Sequence, residues 1–147
     1  MPDVGDRKDP FRNCRFRLEI QGIEQAGFSE CTGFDSTTDA VDYREGTDGN
    51  SMRKLSGLTK HGNVVLKWGA TDSDELWKWR KQVLNGQSKQ ARRNGSIVVF
   101  DEAGKEQVRW NFRRGWPSKY KPADLNAKSN DVAIETLEIT FEELDRG

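Results

Sequence analysis

Apolar side chains fall at every second position in one segment of this chain after another. Cys14, Phe16, Leu18 and Ile20 alternate with Arg15, Arg17 and Glu19, and Val64, Leu66 and Trp68 alternate with Val65 and Lys67. Val108, Trp110 and Phe112 alternate with Arg109, Asn111 and Arg113, and Leu137, Ile139 and Phe141 alternate with Glu138, Thr140 and Glu142. A period of two sends successive side chains to opposite faces of an extended chain, so each segment reads as a strand with one face on a core and one in water. Residues 97–100 read as a short buried strand, and residues 101–105, with Ala103-Gly104, as a hairpin turn. Residues 23–34 form another extended run, bent at Gly27 and Gly33, and residues 40–44 a weaker strand.

One stretch has the helical period instead. Leu76, Trp79 and Val83 share a face that Trp77 and Leu84 widen. Asp72 with Glu75 suits a capping box, and Asn85-Gly86 suits a C-terminal stop, giving a helix over about residues 72–85. Between about residues 45 and 62 no period survives among Gly46, Gly49, Gly57 and Gly62, so this stretch reads as a long extended loop with Leu55 and Leu58 as its small apolar grip. Loops that long are usually functional or disordered. Residues 87–95 read as a polar, basic connector, and Pro117 and Pro122 punctuate the segment that follows residue 113. Seven or so strands and one helix predict a mainly β fold, a small antiparallel β-barrel or sandwich with one flanking α-helix. The 147 residues suit a single domain spanning 1–147.

Composition narrows the function. Lys and Arg number 24, Asp and Glu 24, and the formal net charge is zero, so the basic excess of a nucleic-acid binder is missing. Aromatic residues make up 10% of the chain, unlike a disordered tail. There is no apolar run long enough for a membrane span, and residues 1–10 show no apolar signal region. Synthesis in the cytoplasm without a signal peptide is expected. Cys14 and Cys31 are too few for a disulfide framework and have no C-x-x-C pairing for zinc. Cys14 falls in the inward phase of its strand.

His61, the one histidine, sits in a glycine-bounded stretch without metal-ligand spacing. An enzyme would need a pocket joining it to a perturbed carboxylate. Gly57 and Gly62 have the spacing of P-loop glycines, but Asn63 and Val64 stand where Lys and Ser or Thr are required. No catalytic residue, cofactor or metal is expected. A different class of function is an oligonucleotide-binding β-module using Arg109, Arg113 and Trp116, basic groups interleaved with aromatics. Against it, Trp110 and Phe112 are in phase with Val108 and read as core, with the arginines on the outer face.

The zero net charge is a cancellation of blocks. Residues 105–121 carry six basic side chains and one acidic, residues 131–147 six acidic and one basic, and residues 35–48 five acidic and one basic. Such blocks can pair between neighbouring strands of one chain, or they can form complementary faces on separate copies and set their register.

Several motifs have a familiar order. They run Asp9-Pro10-Phe11-Arg12-Asn13, Phe16-Arg17-Leu18-Glu19-Ile20-Gln21-Gly22-Ile23, Phe28-Ser29-Glu30-Cys31-Thr32-Gly33, and Tyr43-Arg44-Glu45-Gly46. After these come Arg53-Lys54-Leu55-Ser56-Gly57-Leu58-Thr59-Lys60, Thr71-Asp72-Ser73-Asp74-Glu75-Leu76-Trp77-Lys78-Trp79-Arg80, Trp110-Asn111-Phe112-Arg113, Trp116-Pro117-Ser118-Lys119-Tyr120, and Ala133-Ile134-Glu135-Thr136-Leu137-Glu138-Ile139. Together they resemble the phage tail tube family, the inner tube proteins of contractile phage tails and contractile injection systems, related to the Hcp tube of type VI secretion.

The resemblance implies a structural protein. Six copies would form a ring, rings would stack into a hollow tube, and a contracting sheath would drive that tube through a target envelope. The implied partners are further copies of the chain, the sheath protein, baseplate hub or spike and tube-terminating proteins, and cargo DNA or effector protein in the lumen. No membrane insertion of its own is implied. The family's extended insertion, which reaches an adjacent subunit, corresponds to residues 45–62, and with its flanks it nominates Tyr43, Arg44, Glu45, Arg53, Lys54, Leu55 and Leu58 as interface residues. The charge blocks nominate Arg109, Arg113, Arg114, Glu138 and Glu142 for stacking faces.

Overall fold

The computed structural model describes residues 15–26, 28–47, 49–69, 74–124 and 133–147. Cys14, the Asp9–Asn13 motif, the proposed cap Asp72 and Asp131 lie outside them. Among the described residues there are ten strands and two helices: β1 (Arg15–Ile20), β2 (Ile23–Ala26), β3 (Phe28–Gly33), β4 (Ser36–Tyr43), β5 (Arg53–His61), β6 (Val64–Gly69), α1 (Glu75–Leu84), α2 (Ser88–Ala91), β7 (Arg93–Phe100), β8 (Glu106–Lys121), β9 (Ile134–Thr140) and β10 (Glu143–Arg146). All strand pairs are antiparallel.

The main sheet runs β2-β1-β7-β8-β9-β6-β3, with β10 on β8. Its ends stay apart, so the fold is sandwich-like and not a closed barrel. The strand that folds it over is β8. Residues 106–115 pair with β7, residues 110–113 with β10, and residues 116–121 with β9. At the crossing, Arg114 takes φ +54°, a left-handed conformation uncommon outside glycine that turns the strand from one leaf to the other.

Alternation places the core between the leaves. Leu18 and Ile20 from β1, Ile97 from β7 and Phe112 from β8 face Val64, Leu66 and Trp68 from β6 and Leu137 and Ile139 from β9, all buried. These are the inward phases read from the sequence. Helix α1 closes one margin against β8 with Leu76 and Trp79 buried, and Arg80 Nη1 donates to the Pro117 carbonyl at 3.1 Å.

Several expectations need correction. The helix begins at Glu75, with Asp74 at its N-cap making no side-chain cap bond. Trp77 and Leu84 do not widen the buried face; both are exposed, Trp77 with its ring laid against Tyr120 at the rim of β8. The connector at 87–95 contains α2, whose buried Ala91 accepts the Trp79 indole N–H at 2.6 Å. Pro117 does not end a strand. It lies in β8 where only β9 pairs with it, so its missing N–H faces the unpaired side. The run over 23–34 is two strands, and the stretch over 45–62 is largely not a loop, because β5 occupies residues 53–61.

Three variants test this packing, two in the core and one exposed control. Leu66→Ala should cost about 2–5 kcal/mol through lost burial and a residual cavity, read as a lower denaturation midpoint. Leu58→Ala, at an exposed position, should stay within about 0.5 kcal/mol of the unsubstituted chain in the same titration. Trp79→Phe keeps an aromatic ring but leaves the Ala91 carbonyl without its donor, and should cost about 1–3 kcal/mol.

Candidate functional site

The chain from β3 does not return directly to β6. It continues as β4 and comes back as β5, so that β4 and β5 form a two-stranded arm apart from the main sheet. The root of the arm is a tight crossing. Gly33 and Phe34 both have positive φ, +86° and +47°. A side chain at Gly33 would lie 1.8 Å from the Asn63 carbonyl oxygen, so only glycine fits there. Phe34 N–H donates to the Asn63 carbonyl at 3.3 Å, and Gly62 N–H to the Asp35 carbonyl at 2.9 Å. Two ring contacts fix the root to the body, Phe34 on Trp110 at 5.6 Å and His61 on Phe141 at 5.3 Å.

Beyond the root nearly every residue of β4 and β5 is exposed. Cross-strand partners share a face. Val41 opposes Leu55, Tyr43 opposes Arg53, and Asp42 opposes Lys54. Between Thr38 and Ala40 the register shifts, so two steps on β4 match three on β5. This bulge at Gly57-Leu58 inverts the alternation and turns Leu58 to the face of Leu55. One face of the arm therefore carries Val41, Tyr43, Leu55 and Leu58 together, and Leu58 is 74% exposed. The other face is polar, with Lys54 ion-paired to Asp42 and the Thr38 and Thr59 hydroxyls bonded at 2.9 Å.

An eight-residue strand reaches about 26 Å. A hairpin with two strands alone is marginally stable in water, and an exposed ion pair such as Lys54–Asp42 adds at most about 1 kcal/mol. The arm is thus an amphipathic ribbon with no core of its own.

Of the residues nominated from the sequence, Tyr43, Arg53, Leu55 and Leu58 meet on the apolar face. Lys54 stands on the opposite face, and Arg44 and Glu45 lie in the turn segment, where Tyr43 Oη donates to Glu45 Oε1 at 3.2 Å. Val41 was missed. Its phase with Tyr43 was visible in the weak strand over 40–44, but its partner strand was not.

The charge blocks pair within the chain. Arg109 binds Glu19 at 2.8 Å and Glu106 at 2.6 Å, Arg114 binds Glu142 at 2.9 Å, Arg113 binds Glu143 at 3.6 Å, and Lys119 binds Glu138 at 3.6 Å. The Arg109 hydrogen bond, with Arg17 assisting, holds Glu19 below the usual carboxylate range. Phe112 is buried and Trp110 half-buried against Phe34, so the aromatics of this segment are packed and its arginines are ion-paired. That is not the stacking platform an oligonucleotide binder presents.

Nothing in this geometry assembles a catalytic group. His61 Nδ1 is buried without a hydrogen-bond partner. Burial pushes the Cys31 thiol up to about 12, so it is protonated and unreactive at neutral pH. An open concavity of about 580 Å³ on the outer face of the β1-β7-β8 leaf is lined by Glu19, Asn94, Ser96, Asn111 and Arg113, without His61. Among the described residues no group of three His, Cys, Asp or Glu side chains could hold a metal, and no helix is long and apolar enough to cross a membrane.

Known proteins share this fold. A chain in the cryo-EM structure of the anti-feeding prophage cap, the tube-terminating cap, superimposes with a TM-score of 0.82 at 24% identity, covering 99% of this chain and 95% of that one. A chain in the sheath-tube complex of an extracellular contractile injection system (PVC, extended state) gives 0.78 at 23% identity, covering 94% and 91%. Hcp1 from Flavobacterium johnsoniae gives 0.56 at 18% identity, covering 90% and 94%. Comparison with curated protein sequences returns no match. The family model of the T4-like virus tail tube protein gp19 matches residues 12–145, nearly the whole chain. The chain belongs to the T4-like virus tail tube protein gp19 family.

Proposed function

We propose that this tail tube protein builds its tube from six-membered rings that stack through the β4–β5 arm, and that the tube delivers cargo when a surrounding sheath contracts. The class of function follows from the family: a structural tube component of a contractile tail or injection system, and not an enzyme. The ring, the stack and the cargo are our reading.

The observation that carries it is the arm. A ribbon that reaches about 26 Å from the body, with four apolar side chains on one face and no core of its own, gains a partner only from another molecule. A contact between an arm and a different surface of the next copy is head-to-tail, and repetition of such a contact generates rings or filaments. Tyr43, Arg53, Leu55 and Leu58 are the interface residues in this reading, joined by Val41, with Arg44, Glu45 and Lys54 at its rim. Arg109, Arg113, Arg114, Glu138 and Glu142 have a lesser part. Ion-paired within their own chain, they present a nearly neutral surface that keeps like charges from opposing each other between rings and adds little affinity.

Tube-terminating, baseplate and sheath-tube assemblies among the structural relatives support partners of the same kinds here: tube terminator, baseplate hub and sheath. Assembly would place the chain in a phage tail or injection-system particle. DNA and effector protein are the two cargo classes, and the polar outer faces of the strands suit passage of either without adhesion.

Negative-stain electron microscopy of the purified chain should show six-fold rings or tubes. The double variant Leu55→Ser/Leu58→Ser should keep the denaturation midpoint of the unsubstituted chain, since both positions are exposed, and lose tubes at least ten-fold. Full-length tubes from that variant would remove the arm from the interface. Salt-sensitive binding of single-stranded oligonucleotides by a persistent monomer would favour the nucleic-acid module instead.

A further inference from the structure

We propose that the apolar face of the arm seats, in the next copy of the chain, on the exposed stripe of α1 that carries Trp77, Lys81 and Leu84. The proposal rests on the tube reading above and names the receiving surface, which that reading leaves open.

Apart from the arm, the large apolar side chains exposed among the described residues are Trp77, Leu84 and Ile134. Two of these are on α1. Trp77, Lys81 and Leu84 are spaced i, i+4 and i+7, so they line one stripe of the helix. The stripe is turned roughly 140° around the helix from the face that carries buried Leu76 and Trp79 into the core. Trp77 is 40% exposed and Leu84 57%. Trp77 does not swing freely: its ring lies 5.2 Å from that of Tyr120, whose hydroxyl donates to Glu135 at 2.7 Å. The stripe therefore offers a held aromatic, a cation and an aliphatic end in a row about 10 Å long.

Within one chain the arm and α1 do not pack on each other. The second leaf runs β8-β9-β6-β3. The arm leaves from the β3–β6 margin, and α1 packs on β8 at the other margin. Two apolar surfaces at opposite margins of one subunit meet when copies are arranged head-to-tail. Charge agrees with apolarity. Asp39 opposes the bulge on the apolar face of the arm, in a segment that is acidic overall, and Lys81 stands between the two apolar residues of the helix stripe. With Leu58 and Leu55 against Trp77 and Leu84, the Asp39 carboxylate has the Lys81 ammonium as its counter-charge.

The test is a site-specific photocrosslink in assembled tubes. p-Benzoylphenylalanine is placed at position 58, and isotope-labelled and unlabelled chains are mixed before assembly. Irradiation should join position 58 to a peptide within residues 75–85, with mixed-label products showing that the two belong to different chains. A charge exchange supplies a second readout. Asp39→Lys and Lys81→Asp should each lower the yield of tubes about ten-fold, and the double exchange should recover most of it. Tubes whose crosslinks map to another segment, or a double exchange no better than the singles, would overturn this docking and leave the tube reading intact. A chain that never assembles under any condition would overturn both.

Discussion

The antiparallel ladder along β8 is the constraint on which the rest of the molecule depends. This strand of 16 residues pairs with β7, β10 and β9 in turn and is the one element shared by both leaves. Its left-handed corner at Arg114 lets Phe112 and Pro117 both point into the core although they lie on different leaves. The same strand carries α1 on its outer margin through the Pro117 carbonyl. Were β8 to end at the proline, the second leaf would have no tie to the first and the helix no seat.

The ladder also explains the charge. The 24 positive and 24 negative side chains balance, and the basic strand β8 meets acidic partners on β9 and β10. Glu138 on β9 meets Lys119, Glu143 on β10 meets Arg113, and Glu142 between them meets both Arg92 and Arg114. Exposed pairs of this kind contribute at most about 1 kcal/mol each. Their larger effect is to remove any single-signed face from the sheets. A subunit that must lie against copies of itself gains from that, because like charges opposed across a repeated contact would be repeated along the whole assembly.

Strands with one face on the core were legible in the sequence. In β1, β6 and β9, burial on one side and water on the other impose a strict alternation, and the core follows directly from it. The arm was hidden for the opposite reason. No core face disciplines its sequence, and the bulge at Gly57-Leu58 puts its two leucines three residues apart, which breaks the period of two. Leu55 and Leu58 were nominated through resemblance and not through their pattern. A ladder register was needed to place Val41 beside them. Trp77 and Leu84 were misread for a related reason: helical phase shows which residues are neighbours but not how wide the buried face is. The four-residue β10 and α2 are too short to carry a period at all.

The arm joins weak self-stability to a specific surface. Its root is rigid, held by a glycine that admits no side chain, two backbone hydrogen bonds and two ring contacts, whereas its ribbon has little beyond one ladder. A stiff root fixes the direction in which the ribbon leaves and so reduces the entropy lost when it docks. A ribbon without a core leaves the remaining ordering to be completed on the partner. Each arm alone offers a small apolar surface, too little to hold two copies together strongly. In the proposed closed ring every arm would be seated while every receiving face would be filled, so the same modest contact would be multiplied by the symmetry of the assembly.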